Sequence, residues 1–117
     1  MSGARGEATI QAGEREVNVL FTNRALAEVE GTLKQSIIAV AQGFADGTAG
    51  VTECVHLLRA GMQAARRDAH EGGGRVSLGD AFQVLDEAGF SAVITAVMEA
   101  VSAVLSFGTE AASDPNA

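Results

Sequence analysis

The chain has 117 residues, 47% of them hydrophobic and 20% charged, enough to bury one core without metal or disulfide staples. Eight basic against fifteen acidic residues leave a net charge of −7, which argues against general affinity for nucleic acid or anionic membranes. A single cysteine rules out an internal disulfide, and five Phe with no Trp or Tyr leave little from which to build a base-stacking platform.

Residues 1–6 are small and polar and are expected to fray. Met1–Gly13 lacks the basic start and apolar run of a signal peptide, so a cytoplasmic protein is expected. Ala8–Gln11 and Glu16–Phe21 read as two short strands around the turn AGER, with Gly13 able to supply a positive φ. In the second strand Val17, Val19 and Phe21 alternate with Asn18 and Leu20, so one face is the more apolar. A hairpin this small needs helices against it.

Thr22 or Asn23 is placed to cap a short helix, Ala25–Leu33, with Leu26, Val29 and Leu33 on its inner side. Ile37, Val40, Ala41 and Phe44 make a second stripe between a capping Ser36 and a stopping Gly47. Thr52 can cap the next helix. There Cys54, Leu57, Leu58, Gly61, Met62 and Ala65 share one face, while His56, Arg59, Gln63, Arg66, Arg67 and His70 share the other. Gly61 sits in the apolar stripe, either to let another backbone come close or as a mild defect tolerated by packing.

The run His70–Arg75 contains three glycines and breaks the helix. Ser77 and Asp80 have the spacing of a capping box. Leu78, Ala81, Phe82, Leu85 and Ala88 are predicted to form the buried side of the helix they open, with Gly89 ending it. Ser91 then caps a last helix in which Val93, Ile94, Val97, Met98, Val101, Val104 and Leu105 face a thin stripe of Thr95, Glu99, Ser102 and Ser106. Ala92–Phe107 is the most apolar segment, but it is short for a membrane span and carries Glu99. Gly108 is read as the stop. The predicted fold is α+β, mostly α: a short N-terminal β-hairpin followed by about five helices. Residues 1–108 form a single domain and residues 109–117 a disordered tail.

Nothing in the chain assembles a reacting centre. Cys54 and His56 lie two apart on a helix and point to different faces, so they cannot act as a nucleophile–base pair. One Cys and two His give no zinc spacing, and Gly72–Gly74 lacks the Lys-Ser/Thr of a phosphate-binding loop. No catalytic residue, cofactor or metal is expected. The basic helix face reads as a solvated surface, a docking surface for an acidic partner, or a weak nucleic-acid contact. The broad apolar side of the last helix reads as core, or as a face shared with another copy or a client protein.

The order of features then resembles a known family. A β-hairpin precedes LFTNRALAEVEGTLKQSI, a glycine-ended helix (QGFADG), VTECVHLLRAGM, a helix closing in LDEAGF and a small-residue helix ending in FG. Together these look like the tail assembly chaperones of long-tailed phages and gene transfer agents, over roughly Ala8–Gly108. The likeness rests on order, spacing and the pieces ALAEVE, LLRAGM and LDEAGF.

The resemblance implies a non-enzymatic protein that coats the tape-measure protein and recruits tail-tube subunits in the cytoplasm of the bacterial host. It also implies absence from the mature particle. Some relatives are labelled tail tube protein, but a tube wall needs strands pairing between subunits, and this chain has two short ones. The resemblance assigns no residue a role. From the helix faces alone, Arg59, Arg66 and Arg67 are expected to steer an acidic client segment. Val97, Met98, Val101 and Leu105 are expected to serve client contact or self-association. No nucleic acid or membrane is expected among the partners. The rival readings are a minor structural component that stays in the tail and a host helical adaptor or regulatory domain.

Overall fold

A computed structural model describes residues 6–70 and 75–113, with side chains to residue 106. Two strands, β1 (Glu7–Ala12) and β2 (Arg15–Leu20), form an antiparallel hairpin. Five helices follow: α1 (Asn23–Leu33), α2 (Ile37–Asp46), α3 (Val51–Asp68), α4 (Leu78–Ala88) and α5 (Phe90–Ser113). The fold is therefore α+β and mostly helical, as the hydrophobic periodicity predicts.

The hairpin closes on the two residues Gly13 and Glu14, with Ala12 opposite Arg15. Gly13 has φ +65°, which a tight hairpin loop requires at its first position. Pairing Ile10 with Val17 and Ala8 with Val19 puts the apolar side chains on one face. Ile10, Ala12, Val17 and Val19 are all buried there, against helices.

The helix starts follow side-chain capping. The Thr22 hydroxyl accepts from the Ala25 N–H at 3.0 Å, and the Ser36 hydroxyl from the Ala39 N–H at 3.0 Å. Ser77 and Asp80 form the reciprocal box: the Asp80 N–H donates to Ser77 Oγ at 3.0 Å and the Ser77 N–H to Asp80 Oδ2 at 3.2 Å. At α3 the cap is Gly50, not Thr52, because the Glu53 carboxylate takes the Gly50 N–H at 2.7 Å and the helix starts at Val51. Glu30 also reaches out of its own helix: its Oε2 accepts from the Ile37 N–H at 2.8 Å and ties α1 to the start of α2.

Helix α3 is the hub, packed against β2, α1, α4 and α5. It buries Val55, Ala60 and Ala64 in addition to Cys54, Leu57, Leu58 and Gly61. Those positions span about 220° of the helix circumference at 100° per residue. A helix with neighbours on several sides cannot leave half its surface to water, so the apolar face is wider than a simple stripe. Met62 and Ala65, at the edge and near the centre of the predicted face, are only half-buried.

Two further expectations are corrected. On α4 the buried side chains are Ala81, Val84 and Leu85, whereas Leu78 and Phe82 are 37% and 42% exposed. Phe82 and Val84 lie about 200° apart around a helix, so one packed face cannot hold both. The ion pair between Arg15 on the hairpin and Glu87, at 3.5 Å, goes with the orientation that selects Val84. The last helix begins at Phe90, before Ser91, and runs past Gly108 to Ser113. The predicted tail is thus helical over residues 109–113, and residues 114–117 lie outside the described residues, as do residues 1–5 and 71–74.

Candidate functional site

The predicted partner-binding residues divide into two groups on different elements. On α3 the strip from His56 to His70 is the one side not taken up by packing. Arg59 is half-buried, and its Nη1 donates to the Val76 carbonyl at 3.4 Å. Gln63 acts beside it, its Oε1 accepting from the Val76 N–H at 2.7 Å. The two side chains bracket one peptide unit on either side of Val76, whose own side chain is buried. They fix where the chain arrives before α4, so Arg59 has a structural task in place of a free surface charge.

Gln63→Ala is expected to cost about 1–2 kcal/mol, since it leaves a part-buried N–H without its acceptor. Amide exchange at Val76 should speed up with it, while exchange in the middle of α1 stays unchanged.

Arg66, seven residues on from Arg59, lies within about 20° of it around α3, whereas Arg67 is turned about 80° away. Consecutive residues turn about 100° apart on a helix. Half-buried Arg66 lies along a groove of about 270 Å³ beside Arg15, Glu16 and Val76. Exposed Arg67 lies along another of about 400 Å³, beside Thr22, Arg24, Asp68 and His70. Arg59 and Arg66 thus share the side of α3 that borders Val76, and Arg67 faces the start of α1.

The apolar group on α5 fares differently from its prediction. Val97 and Val101 are fully buried in the domain's own core, so neither is available to a client. Met98 and Leu105 are half-buried and pack against that core. The surface-exposed large apolar side chains are instead Leu78, Phe82 and Phe90, with Ile38 and Val51 elsewhere. Leu78 and Phe82 are one turn apart on α4, and Phe90 opens α5 at an elbow where the two helices bend by 113°. The sequence shows Leu78 and Phe82 one turn apart, and the spacing taken from Leu78 assigns both to the core face.

Among the described residues no polar or charged side chain is buried, and no three His, Cys, Asp or Glu side chains converge. No single described helix is long and apolar enough to cross a membrane. Cys54 is buried in the core, and burial pushes its thiol up to about 11. Because the thiol ionises at 9.0 when unburied, the stability gained by keeping it neutral is fully present below pH 9 and is lost as pH rises toward 11. Native protein is accordingly expected to resist alkylation by iodoacetamide at pH 8 and to react on unfolding in urea, which mass spectrometry reads directly.

No protein-family model, curated protein or solved structure matches this chain.

Proposed function

We propose that this protein is a non-enzymatic tail assembly chaperone that binds a tape-measure protein and recruits tail-tube subunits. The observation that carries the reading is the exposure of the large apolar side chains Leu78, Phe82 and Phe90 on the last two helices, beside Ile38 and Val51 elsewhere. Apolar side chains grouped on a helix surface can hold another chain. The order of hairpin and helices supports the same reading, because it is the order on which the family resemblance rests. The client-contact role assigned to Val97 and Val101 passes to the α4–α5 elbow, since those two valines are core.

Co-expression with the tape-measure protein from the same gene cluster tests the proposal. The long client is expected to stay soluble and to co-purify with this protein. A client that remains insoluble and unbound overturns it. Mass spectrometry of purified particles separates a chaperone, absent from the particle, from a component that stays in the tail.

A further inference from the structure

Helix α2 is packed unlike the other four. Its sequence, IIAVAQGFAD, has Gln42 and Asp46 as its polar side chains, and a helix so apolar on all sides belongs in a core with neighbours around it. Here α1 is its main neighbour, whereas each of the other helices packs on two or more elements. Ile37 and Val40 are buried, Phe44 is half-buried and Ile38 is 50% exposed. A residue in the left-handed region stands beyond either end: Lys34, with φ +60°, caps α1, and Gly47, with φ +86°, directly follows α2. Short connections, residues 34–36 and 47–50, join α2 to α1 and α3. Among the described residues one hydrogen bond links α2 to another helix, from the Ile37 N–H to Glu30 Oε2 at 2.8 Å.

We propose that α2 is a lid, which opens as a unit while the rest of the domain stays folded and so uncovers apolar surface on itself and on α1. Parts of one domain open at free energies that follow the apolar burial each would lose, from near zero up to the global value. Opening α2 gives up Ile37, Val40 and part of Phe44, whereas α3 buries seven of its residues. The left-handed residues on either side are the points at which the chain turns, leaving α1 and α3 in place. Glu30 is the latch, because its carboxylate takes an N–H at the positive end of α2. Once detached, a helix of 10 residues does not hold by itself, so opening also frees its amide hydrogens. The inference goes beyond the chaperone reading and does not depend on it, since no tail protein enters its tests.

Hydrogen exchange of the full chain, read by mass spectrometry at a series of low urea concentrations, is the first test. The amides of α2 are expected to exchange through an opening nearly insensitive to urea, and those in the middle of α3 through one that urea promotes. Glu30→Ala should speed exchange in α2 about tenfold, as loss of a hydrogen bond to a charged group does, and leave α3 unchanged. The second test uses two completely buried positions, Val40 on α2 and Cys54 on α3. In Val40→Cys the two thiols compete for iodoacetamide within one molecule. The introduced thiol is expected to be alkylated about a hundredfold faster than Cys54. Exchange of α2 and α3 amides at one common free energy overturns the proposal, as does equal alkylation of both thiols in a variant that circular dichroism reports folded. A Glu30→Ala chain in which α2 and α3 speed up alike overturns it too.

Discussion

Replacing Gly61 by valine is expected to destabilise the domain by about 3 kcal/mol, the upper end of what overpacking a core costs. A Cβ at Gly61 would stand 2.6 Å from Phe21 Cζ and 3.0 Å from both Phe21 Cε2 and the Val19 Cβ. Phe21 is itself fully buried, so its ring has nowhere to retreat. Alanine is the sharper test, because it trades the clash against a gain of about 1 kcal/mol in helix propensity. Gly61→Ala should still lose stability in urea unfolding, by about 1 kcal/mol net. Trimming the ring with Phe21→Leu should then couple to it, the double variant falling short of the summed losses by about 1 kcal/mol. A Gly61→Ala protein more stable than the parent would mean that the glycine is a tolerated defect and not a contact point.

Val97→Asp is expected to unfold the protein or to cost about 4 kcal/mol or more, since it puts a carboxylate where no partner waits. Domains of this size hold only about 5–15 kcal/mol in all. Thr95→Asp, two residues away on the exposed stripe of α5, should stay within about 0.5 kcal/mol of the parent. Thermal unfolding followed by circular dichroism compares the two. A folded Val97→Asp protein that had merely lost binding would return Val97 to the surface and reopen α5 as a contact face. Equal melting of both variants would do the same.

The fold was largely legible in the sequence, and for local reasons. Thr22, Ser36 and the Ser77–Asp80 pair announce their helices by side-chain chemistry that depends on neighbours within three residues. The alternation of Val17, Val19 and Phe21 needs only the two-residue repeat of a strand. What escaped depends on distant contacts. The phase of α4 is ambiguous in isolation, since Phe82 and Val84 make equally good apolar stripes. The hairpin side chain Arg15, more than sixty positions earlier in sequence than α4's last turn, is among the contacts that accompany the choice of Val84. The Arg59–Gln63 clamp on Val76 was hidden for the same reason, as its acceptor and donor lie 17 and 13 residues away. Of the seven expected contact residues, the two valines went to the core because a helix touching β1, α3 and α4 has little side left over.

The shielded thiol of Cys54 has a practical corollary. With one sulfhydryl in the chain, and that one enclosed between α3 and its neighbours, no native cysteine has to be removed before a reporter is attached. A new cysteine at an exposed site such as Thr95 or Gln83 would take a maleimide dye alone. Dye pairs on this protein and on a helical ligand would then measure how far apart the two sit and which way round the ligand lies.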